Sequence, residues 1–247
     1  MGGWSKLALN NTKFIFMISE KTVELNLTTE LVNYMYVVTG VRPYILAPSQ
    51  PQEATFGFDT SIGYPTTGKP YLIQYKRAEF RVRKNEYLYH LNHTSNQDQH
   101  LRLYALELMG WDVFYALPLF HLPTDVVNKR QHLLPETLYL KPSWMIPIGG
   151  IPAMVGHHEV RHNLTTKITT IHSETGKEID QSFDFFDFAR KLNSQDSNKR
   201  ENPLLNFFKD FNRIFSNVEP VVIEGLKIEK LQGNDINLFN GLSVMIV

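Results

Sequence analysis

The residues best placed to do chemistry lie between Phe56 and Lys76. The stretch reads F-G-F-D-T-S-I-G, then a Gly/Pro/Thr-rich connection, then Y-L-I-Q-Y-K. Both apolar runs are strand-like. The first ends at a carboxylate, Asp59, and the second carries Gln74 and Lys76 two residues apart. Side chains alternate along a strand, so Gln74 and Lys76 share one face while Ile73 and Tyr75 take the other. Pairing of the two runs as a hairpin would bring Asp59 to Gln74 and Lys76. Oxygen ligands beside a lysine suit hydrolysis of a phosphodiester with Mg²⁺. The ion neutralises phosphate charge and lowers the pKa of its water, and the ammonium holds or activates that water.

Asp59, a spacer and Gln74-Tyr75-Lys76 together resemble the PD-(D/E)xK nuclease superfamily, in the variant with Gln in the (D/E)xK slot. The resemblance spans about Glu24 to Val126. It implies an α/β fold: a restriction-endonuclease-like core with a mixed central sheet flanked by helices. It further implies metal-dependent cleavage of DNA, in defence, restriction or repair. Mg²⁺ or Mn²⁺ would be held by Asp59, Gln74, the Tyr75 main-chain carbonyl and a glutamate from the preceding helix, for which Glu30 is the first choice and Glu24 the reserve. Asp59, Gln74, Lys76 and Glu30 form the expected catalytic set. Phe58 stands where the consensus has proline, and Gln74 replaces an acid. An inactive nuclease-fold protein that binds nucleic acid or another protein is the alternative.

The elements that must position these residues follow from periodicity. Leu27, Leu31, Met35 and Val38 recur at helical spacing, which predicts a helix over 27–39, with Asn26 or Thr28 as its cap and Gly40 as its stop. Glu30 at its start also fits a first-turn acid favoured by the helix dipole. After the hairpin comes R-A-E-F-R-V-R-K, in which Arg77, Arg81, Arg83 and Lys84 could continue the catalytic strand along a phosphate backbone. A second helix is expected over Gln97–Met109, closed by Gly110, with Leu101, Tyr104 and Leu108 on the sheet. Gln99 and His100 in its first turn are candidate nucleic-acid contacts. The β-forming run Trp111–Leu122 follows, with Pro118 marking an edge or bulge.

The second half carries strand-like pieces at 137–140, 144–148 and 159–172, and a turn at 174–177 that could close a hairpin. Two aromatic helices are expected at 183–192 and 204–215. The polar run 193–202 divides a core domain (1–192) from a linker and C-terminal helical extension (193–247), whose Phe-rich helix is a candidate homodimer face. His158-Glu159-Val160-Arg161-His162 spells H-E-x-x-H, the zinc-hydrolase pattern. Its β-branched surroundings point to a strand, however, where the two imidazoles would sit ~13 Å apart.

Composition sets outer limits. Basic and acidic residues balance at 25 each, so no global field draws in nucleic acid, and cysteine is absent, which excludes disulfides and thiolate zinc sites. The opening M-G-G-W-S-K fits neither a signal peptide nor the myristoylation pattern, and no apolar run reaches the ~20 residues of a membrane span. A cytoplasmic protein acting on DNA, with no membrane partner, is the expectation.

Overall fold

A computed structural model describes residues 17–50, 53, 56–64, 70–92, 98–172, 176–179 and 243–246. The first helix, α1 (Glu20–Thr39), starts two turns earlier than the apolar spacing predicts. Ser19 caps it, its Oγ accepting from the Thr22 amide at 3.0 Å. Gly40 ends it as expected, at φ 71° with its amide donating to Tyr36 O. The buried stripe Val23, Leu27, Leu31 and Met35 recurs every four residues and faces the sheet.

That sheet is mixed. Its strands β1 (Tyr44–Ala47), β2 (Thr60–Gly63), β3 (Tyr71–Tyr75), β6 (Asp112–Pro118) and β7 (Thr137–Leu140) lie side by side in that order. β1, β2 and β3 form an antiparallel meander, β6 runs parallel to β3, and β7 is antiparallel to β6. The parallel step needs a crossover, which contains α2 (Gln99–Leu108). Every residue of β3 is buried, as for a central strand covered on both faces. Ile73 and Tyr75 pack towards α1, whereas Leu72 joins the core under α2 with Leu103 and Leu106.

Between β3 and α2 the chain enters a second, antiparallel sheet. Its order is β10 (Gly176–Glu178), β9 (Thr169–His172), β8 (His158–Asn163), β5 (Glu86–Asn92), β4 (Glu79–Arg81). Its apolar face, with Tyr87, Tyr89, Leu91, Val160 and Ile171, shares a core with Leu72, Val113, Tyr115 and Leu117 of the mixed sheet. The mixed sheet is thus covered by α1 on one side and by α2 with the second sheet on the other.

Several expectations are corrected. The basic run does not continue β3: it turns away after Lys76 into β4 and the 3-10 turn Val82–Lys84. The stripe of α2 consists of His100, Leu103, Tyr104 and Leu106, while Leu108 is exposed, because α2 packs against both β6 and the turn Pro142–Met145. That 3-10 turn replaces the strand expected over 144–148. The Pro118 expectation holds locally: β6 is central, but its pairing with β3 ends at Ala116, so Pro118 has a strand neighbour on the β7 side alone and its missing amide costs no ladder bond. The helices expected at 183–192 and 204–215, and the boundary at 193, lie outside the described residues. The stretch 242–247 contributes a strand, β11 (Ser243–Ile246), antiparallel to β1. Among the described residues no helix is long and apolar enough to cross a membrane.

Candidate active site

β2 and β3 pair Thr60 with Ile73, so one step back along β2 puts Asp59 opposite Gln74. The Asp59 amide extends the ladder to Ile73 O at 3.0 Å. Its carboxylate Oδ2 accepts from the Tyr75 amide at 2.7 Å and from Gln74 Nε2 at 2.9 Å. Gln74 Nε2 also faces Tyr75 O at 3.2 Å. Both of these neighbours are acceptors, which fixes the nitrogen towards them and turns Oε1 away. That oxygen is buried with no hydrogen-bond partner. The expected hairpin patch therefore exists, and it is dry: Asp59 is 8 % exposed, Gln74 1 % and Lys76 5 %.

Lys76 is held between the two helices. Its Nζ donates to Gln99 Oε1 at 3.0 Å and lies 3.8 Å from Glu20 Oε1. Gln99 Nε2 in turn donates to Gly57 O at 3.2 Å. Gly57 has φ 83°, and a Cβ there would stand 3.4 Å from the Gln99 carbonyl, so this backbone approach favours glycine. Beside the cluster, Thr60 Oγ1 donates to Glu24 Oε1 at 3.4 Å, and Thr28 Oγ1 pairs with the Tyr75 hydroxyl at 2.8 Å, fixing α1 against β3.

Burial pushes the Asp59 carboxyl well above its ordinary range; the Lys76 charge and the Tyr75 amide pull it back, while Glu20 and Glu53 push it higher. Two further carboxyl groups thus act on Asp59, and the Lys76 ammonium offsets them. A divalent cation would relieve that repulsion.

Glu30 is not part of this arrangement. Its Oε2 accepts from the amides of Leu133 and Leu134 at 2.9 and 3.2 Å, tying α1 to the segment before β7. The acids that α1 turns towards the hairpin are Glu20, beside Lys76, and Glu24, beside Thr60. Glu20 was missed because the apolar spacing starts the helix too late. Ser19 followed by Glu20, a capping residue and a first-turn acid, is the signal that could have found it.

The nucleic-acid candidates separate. Gln99 belongs to the site, as the residue that holds Lys76. His100 is corrected: it is fully buried, with Nδ1 at 3.1 Å from the Tyr115 hydroxyl and Nε2 at 3.0 Å from Met145 O, and burial brings its pKa down to about 4. Arg77 pairs with Glu79 at 3.5 Å, and Arg81 lies at 3.4 Å from Glu86 and 3.9 Å from Glu159. Arg83 and Lys84 are exposed on the turn before β5. The H-E-x-x-H pentapeptide is a strand, as its neighbours imply. His158 and His162 face the core, and Glu159 and Arg161 face the opposite way, so the three zincin positions cannot converge.

No family model, curated protein or solved structure matches the chain.

Proposed function

We propose that the chain is a metal-dependent nuclease that hydrolyses phosphodiester bonds in DNA at the Asp59–Gln74–Lys76 cluster. The observation that carries this reading is the buried, unpartnered Gln74 Oε1 beside a carboxylate of raised pKa and a fixed lysine. A buried acceptor without a donor costs stability unless a ligand fills it. Asp59 Oδ2 and the Tyr75 carbonyl lie on the nitrogen side of the same amide, so the hairpin gathers three oxygens of the kind a hard divalent cation takes. The order of helix, antiparallel meander, helix and parallel strand supports a restriction-endonuclease-like core around them.

The residues present fit Mg²⁺ or Mn²⁺. Asp59, Gln74 Oε1 and the Tyr75 carbonyl would hold the ion, with Glu20 or Glu24 of α1 in place of Glu30. When bound, the ion supplies Lewis acidity to the phosphoryl oxygens and lowers the pKa of its water. Lys76 orients the attacking water and stabilises the charge that develops, and Gln99 keeps its ammonium on the hairpin. Arg83 and Lys84, exposed on the turn before β5, would meet a neighbouring phosphate, with Arg77 and Arg81 as further contacts. One site per chain cuts one strand, so cleavage of both strands of a duplex calls for a homodimer.

The second reading, a non-catalytic nucleic-acid-binding or protein-interaction module on the same fold, is favoured by one observation. Gln74 offers a neutral oxygen where an acid would carry charge, so the ion has fewer charged ligands than in an acidic site.

The test is incubation of the chain with supercoiled plasmid and with linear single-stranded DNA, in Mg²⁺, in Mn²⁺ and in EDTA, beside Asp59→Ala and Lys76→Ala. Metal-dependent cutting that falls about 10²-fold or more in both variants supports the nuclease. Equal binding of DNA by all three proteins with no cutting overturns it in favour of the module.

A further inference from the structure

The outward face of the second sheet carries a group of side chains that the hairpin site does not use. β5 and β8 pair antiparallel with His90 directly opposite Glu159, and a register shift follows between His90 and Asn92. His157 stands immediately before β8, beside that irregularity. Glu159 Oε1 lies 3.8 Å from His90 Nδ1 and 3.8 Å from His157 Nε2. One atom from each of the three residues falls within 4.8 Å of the others.

We infer that His90, His157 and Glu159 form a second metal site, one for Zn²⁺, separate from the hairpin. The surroundings are those a zinc site needs. The other oxygen of Glu159, Oε2, is held by Arg161 Nη2 at 2.8 Å and Nε at 3.3 Å, which fixes the carboxylate and turns Oε1 to the imidazoles. The far nitrogen of His90, Nε2, faces Glu79 Oε1 at 3.7 Å. A carboxylate behind a ligating histidine sets its tautomer and raises its basicity. Tetrahedral zinc with bonds of about 2 Å sets its ligand atoms roughly 3.3 Å apart, so the two pairs with Glu159 contract by about half an ångström and the two imidazoles draw in from within 4.8 Å of each other. Three protein ligands leave a fourth position for water, and His157 is 47 % exposed at the rim, which gives the ion a way in.

The charge balance selects the metal. Glu79 and Glu159 are already matched by Arg77, Arg81 and Arg161. A hard cation that depends on carboxylate charge gains little here. Two neutral imidazoles with one carboxylate oxygen suit a borderline transition ion instead. The same Glu159 appears in the H-E-x-x-H pattern, but its partners come from the neighbouring strand and the preceding residue rather than from His158 and His162. Zinc at this point would clip β5 to β8 and leave the hairpin chemistry untouched.

The experiment is titration of tag-free, chelator-treated full-length chain with Zn²⁺ at pH 7.5, followed by calorimetry and by metal content after dialysis. A single Zn²⁺ per chain is expected. His90→Ala and His157→Ala should each weaken it about 100-fold or more, and Glu79→Gln about 10-fold with the stoichiometry kept. Asp59→Ala should bind as wild type, which keeps this result independent of the nuclease reading. Circular dichroism identifies any variant that fails to fold, and His157, being exposed, is the position least prone to that. Absence of stoichiometric Zn²⁺ in the wild type overturns the site, as does full retention in a folded His157→Ala chain.

Discussion

Gln74 Nε2 donates to Asp59 Oδ2 at 2.9 Å while the oxygen of the same amide is buried without a partner. The donor half of the side chain steadies a carboxylate that burial disfavours, and the acceptor half is left for a ligand. A glutamate at this position would lose the first role and strengthen the second.

Gln74→Glu is therefore expected to lower stability in EDTA, by about 1–3 kcal/mol for the lost donor alone, and to increase the stabilisation that Mg²⁺ provides. Thermal melts of wild type and variant, with and without Mg²⁺, check this. A variant that Mg²⁺ stabilises no more than wild type would remove Gln74 from the metal site.

The pairing of Asp59 with Gln74 was legible in the sequence because strand alternation and a hairpin connection leave little freedom: fixing the register at Thr60 and Ile73 fixes the rest. The acid from α1 was not. A helix start is set by its cap as much as by its apolar stripe, and the stripe alone pointed to 27 where Ser19 begins the helix. His100 misled for a different reason. Its position in a first turn suggested an anion contact, but the turn Pro142–Met145, far along the chain, covers it and offers the Met145 carbonyl. The basic run likewise gave no sign that β4 would leave β3 for another sheet, since that depends on pairing with β5.

Gln99 should act by positioning Lys76. Gln99→Ala removes both the acceptor for Nζ and the anchor on Gly57 O, and the cutting rate is expected to fall by about 10- to 10²-fold with little change in DNA affinity. Gln99→Glu keeps the acceptor for Lys76 and should recover most of the rate. Single-turnover cleavage alongside a binding isotherm separates the two effects; an equal loss in both variants would count against positioning.

Glu30 serves as a control for the site's boundary. Removing a carboxylate that accepts two partly buried amides should cost about 1–3 kcal/mol. Denaturant unfolding of Glu30→Ala should show that loss, with the same gain on adding Mg²⁺ as wild type. A loss of the Mg²⁺ response specific to this variant would return Glu30 to the metal set.

Two buried groups act on stability in opposite directions as pH changes. Asp59 has a folded pKa above its ordinary 3.8, so from 3.8 up to that raised value the native chain binds more protons than the unfolded one. Stability falls as pH rises through this window, and the full cost remains above it. His100 has a folded pKa of about 4 against 6.5 when unfolded, so between these values the unfolded chain binds more protons, and stability falls as pH drops from 6.5 towards 4. The His100 contribution approaches about 3 kcal/mol at the acid end, and burial of His158 and His162 adds in the same direction. Asp59→Asn abolishes only the first effect. In EDTA its stability relative to wild type should therefore rise as pH rises through the raised Asp59 pKa, while both chains keep the same acid-side decline. Adding Mg²⁺ should narrow the difference at neutral pH by stabilising only the wild type. Urea denaturation at steps between pH 4 and 8 measures all three, and curves for the two chains that stay parallel throughout would mean that Asp59 carries no cost of burial.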